Sequence, residues 1–186
     1  MCSILQSCIE EASNLDEELI DTLLDPLLPS KKEDNPSAYK MVGTVLRRTI
    51  SSVQTPLSEF VNNILVGTLS AGPGKEIESD LSEHIYLLIN ELYKISPQLL
   101  VNVLPNVCVQ LKADEEAVRL KAVKLLGQLF SNSRMDIGDQ FSRDFKDFLG
   151  RFADISAVIR LEMVEQGSLL MSRKKILIPR IEGTCF

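Results

Sequence analysis

Two aspartate–arginine pairs are the residues whose types and spacing most invite a chemical reading: Asp114 with Arg119 in ADEEAVRLKAVKLLGQLF, and Asp154 with Arg160 in ADISAVIRLEMVEQGSLLM. The aspartates lie 40 residues apart and the arginines 41. A guanidinium is a planar fork of donors that a carboxylate can fill with two parallel hydrogen bonds. A pair recurring at this interval can therefore join one structural repeat to the next, and the interval falls in the period of HEAT and armadillo arrays. The expectation is a ladder. Each aspartate sits at a turn and caps the helix that follows, and each arginine just inside that helix reaches the aspartate of a stacked neighbour. Asp114, Arg119, Asp154 and Arg160 are read as structural residues.

Catalytic chemistry finds little to work with. His84 is the only histidine, and its place between Glu83 and Ile85 in an amphipathic stretch makes it a helix residue rather than a general base. GPGKE, residues 72–76, has the Gly-Lys of a phosphate loop, but Glu76 stands where Ser or Thr must hold the metal, and no strand precedes it. Cys2, Cys8, Cys108 and Cys185 form no C-x-x-C pair, so neither a disulfide framework nor a thiolate metal site is expected. Reduced thiols, with Cys8 and Cys108 packed as small hydrophobes, are the expected state. No cofactor is expected, and the chain is not read as an enzyme.

The elements that must position the ladder are helices. NPSAYKMVGTVLRRTI opens with Asn35 as a cap and Pro36 at the first helical position, where a missing N–H costs nothing. Thr55-Pro56 and Ser96-Pro97 repeat the device, and Asp80 and Glu83 have the spacing of a capping box. Apolar residues then return at helical intervals, as in Leu57, Val61, Ile64, Leu65 and Leu69, or Leu81, Ile85, Leu88, Ile89 and Leu92. No segment alternates with period two, so the expected class is all-α: a HEAT-repeat α-solenoid of about four antiparallel helix hairpins. Pro105 is expected to bend the first helix of the hairpin in SPQLLVNVLPNVCVQLKADEEAVRLKAVKLLGQLF. Residues 1–172 are read as one array with an exposed loop at 70–79, and residues 173–186 as a divergent tail.

Charge and hydropathy narrow the partners. The net charge is −6, and residues 1–35 hold nine acids against two lysines. Neither the acidic start nor the near-neutral remainder is a nucleic-acid surface, so direct DNA binding is not expected from Arg47-Arg48 or from SRKK at 172–175. No apolar run approaches the roughly 20 residues that cross a bilayer, and the start lacks the basic flank of a secretion signal. The expectation is an intracellular chain without a membrane partner.

The stretch DLSEHIYLLINELYKISPQLLVNVLPNVCVQLKADEEAVRLKAVKLLGQLF, followed by FLGRFADISAVIRLEMV, resembles the amino-terminal half of the precocious-dissociation-of-sisters family, HEAT-repeat regulators of cohesin. SCIEEASNLDEELIDTLLDPLLPSKKEDNPSAYKMVGTVLRRTI is similar to the preceding helices of that family. The resemblance covers about residues 4–172. It implies a non-enzymatic scaffold, associated with chromatin in the nucleus, that binds the kleisin subunit of cohesin and the wings-apart-like release factor and regulates maintenance and release of sister-chromatid cohesion. Lys121 and Lys124 are the candidate partner contacts, with solvated lysines on a polar helix face as the plainer alternative. Period and fold alone also allow a HEAT scaffold for nuclear transport or for a phosphatase, and only the family pieces separate these. Family members are much longer, and KILIPRIEGTCF departs from their pattern, so the ending is read as a truncated, alternatively spliced or mispredicted terminus, with a non-functional truncated fragment as the further alternative. At that end Leu161, Val164 and Leu169, with Phe148 and Phe152, are expected to face the place of a further repeat, partly covered by Ile176, Leu177 and Ile178.

Overall fold

A computed structural model of the chain describes residues 17–70, 84–132 and 141–173, together with Ser7 and Ile9; side chains at 68–70 and 173 are excepted. Among the described residues there is no strand. Residues 71–79 of the expected loop at 70–79, the Asp80 and Glu83 box, GPGKE, three of the four cysteines and the 174–186 tail lie outside them, and Ser70 is helical. The chain divides into two compact units, Met1–Asn106 and Val107–Phe186.

In the first unit, α1 (Glu17–Leu24) runs through a 3-10 turn (Asp25–Leu27) into the short α2 (Pro29–Asp34), and α3 (Pro36–Arg48) follows at once. Asn35 caps α3, its side-chain oxygen accepting from the Ala38 amide at 3.1 Å, with Pro36 in the first position. The next helix departs from expectation. Instead of opening at Pro56, α4 runs unbroken over Ile50–Ser70 with Pro56 inside it. Proline removes one helical hydrogen bond, but Val53, Leu57, Phe60, Val61 and Leu65 are buried on both sides of it. Tertiary burial of that stripe outweighs the local preference for a break.

α5 (Ile85–Ile95) buries Ile85, Leu88, Ile89, Leu92 and Tyr93. His84 is its N-cap residue and makes no side-chain cap bond. Beyond it, the helix expected to bend at Pro105 is instead cut into pieces: a 3-10 turn (Pro97–Leu100), a turn at 101–103, then α6 (Leu104–Val109). Pro97 and Pro105 each withhold a donor, and side-chain amides of α4 serve carbonyls in the gap. Gln54 donates to the Gln98 carbonyl at 3.1 Å and Asn62 to that of Asn102 at 3.3 Å.

The second unit carries the hairpin logic most plainly. A 3-10 turn (Gln110–Lys112) leads into α7 (Glu116–Ser131), and α8 (Ser142–Leu149) passes through a second 3-10 turn (Gly150–Ala153) into α9 (Ala157–Arg173). α9 lies along α7. Phe148 is fully buried: its ring lies 5.3 Å from that of Phe130, which meets Phe145 edge-on at 5.0 Å. Phe148 therefore belongs to the core and not to the exposed end face, because it projects toward α7; Phe152, Leu161, Val164 and Leu169 are exposed. Cys108 on α6 is buried, and that burial, with Asp144 and Asp147 nearby, pushes its thiol up to about 12.

α7 and α9 approach closely because position 127 is glycine. A Cβ there would fall 2.6 Å from Gln166 Cγ, and Gln166 is itself held by its amide donating to Glu162 at 2.7 Å. Gly127→Ala should displace Gln166 and lower stability by about 1 kcal/mol, despite the helix preference of alanine. Gln166→Ala in the same chain makes room and should remove that added cost. Thermal melts of the four chains of this double-mutant cycle check it; equal penalties for Gly127→Ala with and without Gln166 would refute the contact.

Candidate functional site

The polar centre of the second unit is the carboxylate of Asp154. Gly150–Ala153 form the 3-10 turn before it, and Asp154 leaves that turn in extended backbone (φ −60°, ψ 149°), which aims its side chain back toward α7. Arg119, one turn into α7, donates from Nε to Oδ2 at 3.2 Å and from Nη2 to Oδ1 at 3.3 Å. Arg151 donates to Oδ2 at 3.2 Å, and the Ser156 amide to Oδ1 at 2.9 Å. The Arg119 and Asp154 side chains are 6% and 1% exposed, so this is a buried ion pair. Burial pushes the Asp154 carboxyl up, but the Ser156 amide and the two guanidiniums outweigh it and hold the group below the usual carboxylate range.

Each arginine also grips its own turn. Arg119 Nη1 donates to the carbonyls of Ala113 at 2.8 Å and Asp114 at 2.7 Å. Arg160 Nη1 does the same 41 residues later, to Asp154 at 2.6 Å and Ile155 at 3.0 Å. The repeat register is thus 41 throughout. Asp154 corresponds to Ala113, whose backbone is nearly identical (φ −62°, ψ 145°), and Asp114 corresponds to Ile155. Asp114 is exposed, serves Arg119 through its carbonyl, and does not cap α7: Glu115 is the N-cap residue and makes no side-chain cap bond. α9 is capped by Ser156, whose hydroxyl oxygen accepts from the Val158 and Ile159 amides at 3.2 and 3.4 Å. Asp154 does not cap α9 because its carboxylate is taken by Arg119, Arg151 and the Ser156 amide, which leaves the cap to the Ser156 hydroxyl.

The two candidate lysines are exposed on α7. Lys124 reaches Glu162 of α9 at 3.4 Å, making a further cross-helix link. Lys112 meets Asp147 of α8 at 2.7 Å. Arg151 was not singled out by spacing, although it lies in the FLGRF stretch; it also donates to the Leu111 carbonyl at 3.1 Å and so ties two turns together.

The first unit has its own buried carboxylate, invisible to any periodicity. Glu91 on α5 accepts from Lys94 at 2.7 Å, from Lys32 of α2 at 3.0 Å and from the Tyr39 hydroxyl of α3 at 2.8 Å. Burial raises its pKa, but the Lys94, Lys32 and Tyr39 hydrogen bonds outweigh burial and lower it. Lys32 is raised, chiefly by its hydrogen bond to Glu91, and its ammonium lies 4.3 Å from the Tyr39 ring centre. An open pocket of about 430 Å³ lies here, lined by Pro29, Lys32, Pro36, Tyr39 and Glu91 among others.

Three comparisons bear on this arrangement. The model of a family described as "Sister chromatid cohesion protein PDS5 protein" matches residues 1–184. Sister chromatid cohesion protein PDS5 homolog A of Danio rerio is 39% identical over 168 residues, which cover 90% of this chain and 12% of that protein. The human homolog B is 37% identical over 168 residues, covering 90% of this chain and 11% of it. The chain thus spans about an eighth of the length of the curated relatives it matches. Among solved structures, a chain from "Structure of the Pds5-Scc1 complex and implications for cohesin function" superposes with a TM-score of 0.76 at 19% identity, over 93% of this chain and 27% of that one. The fold is that of a HEAT-repeat α-solenoid.

Arg119→Ala should lower stability by about 3 kcal/mol, because it removes two of the four hydrogen bonds to a buried carboxylate together with the donor to two turn carbonyls. Arg119→Lys should recover only part of this, since an ammonium cannot span carboxylate and turn together. Thermal melts check both; an unchanged midpoint for Arg119→Ala would refute the brace. The acid limb offers a second test. The folded-state pKa values of Asp154 and Glu91 are depressed, so their stabilisation is present above their unfolded values, about 4, and is lost as pH falls through the folded ones. Glu91→Gln should therefore flatten the fall in stability between about pH 5 and 3, measured by urea unfolding at each pH.

Proposed function

Because the chain belongs to the PDS5 family of sister chromatid cohesion proteins, we propose that it is a non-enzymatic, cohesin-associated scaffold segment regulating maintenance and release of sister-chromatid cohesion in mitosis. The observation that carries this reading is the family match across residues 1–184. The kleisin subunit of cohesin and the wings-apart-like release factor are the proposed partners, and chromatin in the nucleus the proposed place of action.

The side-chain chemistry is consistent with a scaffold. The buried carboxylates of Asp154 and Glu91 are each held by several donors from neighbouring elements, an arrangement that fixes positions and leaves no proton poised for transfer. Arg119, Asp154 and Arg160 act in this reading as braces. Asp114 contributes its backbone alone. Lys121 and Lys124 are the contact candidates in this reading, and Lys124 also links α7 to Glu162 of α9. A stack of hairpins suits the task because it offers long ridges to an extended partner segment.

A pull-down of the tagged chain from nuclear extract tests the reading, with blots for the kleisin and the release factor set against importin cargo and phosphatase subunits. Enrichment of a cohesin component, reduced severalfold by Lys121→Glu in a chain that melts normally, is the expected result. Recovery of transport or phosphatase components without cohesin would overturn it.

A further inference from the structure

From Pro29 to Ser37 every residue is exposed except Lys32, which is half-buried, although Leu27 and Leu28 just before them are packed in the core. α2 therefore contributes no buried residue. Proline sets both of its ends. Leu28 (φ −62°, ψ 143°) precedes Pro29 and Asn35 (φ −137°, ψ 77°) precedes Pro36, and a following proline keeps each out of helical backbone. The six residues can thus merge with neither α1 nor α3. Among the described residues, the side-chain links from α2 to other elements run through Lys32, which donates to Glu91 at 3.0 Å and holds its ammonium 4.3 Å from the Tyr39 ring centre. Pro29, Lys32 and Glu33 wall one side of the pocket of about 430 Å³ that reaches Tyr39 and Glu91.

We propose that α2 is a strap, latched by Lys32 on Glu91 and Tyr39, that swings on Leu28 and Asn35 and bares the pocket while the rest of the unit stays folded. Its anchorage is unequal to that of its neighbours. A segment opens locally when its release exposes little apolar surface and breaks few bonds, and α2 hides none of its own residues. Leu27 and Leu28 stay seated on one side, and α3 keeps its own packing through Val42, Val45 and Leu46 on the other. The two residues outside the helices absorb the change in backbone angle. A helix of six residues has little stability apart from its packing, so the strap loses its helical form as it leaves. Glu91 keeps its bonds from Lys94 and the Tyr39 hydroxyl, which leaves the carboxylate in place to receive Lys32 again. Ionic strength governs the balance, since the latch is an ion pair whose cation is 38% exposed. The strap rests on the first unit alone and not on the cohesin reading, so either can fail without the other.

α2 carries its own reporter, because trypsin cuts after Lys31 and Lys32 and needs an opened segment to do so. On the whole chain with limiting trypsin, mass spectrometry gives the initial rate of cutting there against that after Arg47 and Arg48 on α3, which reports opening of the unit as a whole. Glu91→Gln should speed cutting in α2 severalfold and leave cutting in α3 unchanged. Raising salt from about 0.05 to 0.5 M should do the same to the parent chain and have little effect on Glu91→Gln. Lys32→Gln changes only a half-exposed side chain and leaves Lys31 as the site; it should match Glu91→Gln, and the two together should add nothing. An α2 rate that either substitution or salt leaves unmoved overturns the latch. Rates that rise equally in α2 and α3 overturn local opening.

Discussion

Everything in the second unit turns on the need to satisfy one buried carboxylate. Asp154 is almost inaccessible to water, and a charge in that position is tolerable only when its lone pairs are filled by well-placed donors. Two guanidiniums and an amide supply them, and each comes from a different piece of chain: α7, the 3-10 turn, and the start of α9. The requirement fixes the angle at which the turn leaves α8, the depth at which Arg119 lies, and the register of α9 along α7. Apolar packing alone would tolerate a slide of one helix over the other; a half-satisfied ion pair would not.

The first unit solves the same problem with other means. Glu91 draws a lysine, a tyrosine hydroxyl and a second lysine from α2, α3 and its own helix, and these hold the short α2 against the rest. One centre recurs with the repeat and the other does not. In both, polar chemistry locates helices while the aliphatic core supplies most of the stabilisation.

How much of this was legible in the sequence depends on whether a role belongs to a side chain at a fixed interval. Arg119 and Arg160 could be found because both repeat copies need the guanidinium, and helices were readable from caps such as Asn35-Pro36 and from apolar spacing. Asp114 was paired with Asp154 because identity suggested it, yet the true counterpart of Asp154 is Ala113. There the work is done by a carbonyl, which every residue type possesses and no sequence pattern reveals. Pro56 read as a helix start, since local propensity knows nothing of the buried stripe that carries α4 through it. Glu91 meets Lys32 and Tyr39 across 59 and 52 residues of chain, a juxtaposition that only the packed fold creates.

The buried Cys108 has a kinetic consequence. With its thiol pushed up to about 12, only on the order of one molecule in 10⁵ carries the thiolate at neutral pH. Alkylating agents and disulfides react with the thiolate, so the folded sulfur is chemically silent, and modification waits for α6 to come away from its surroundings. The rate of that modification is therefore a clock for local opening in the segment where prolines have already cut the helix into pieces. It reads an irregular stretch of backbone one rare excursion at a time.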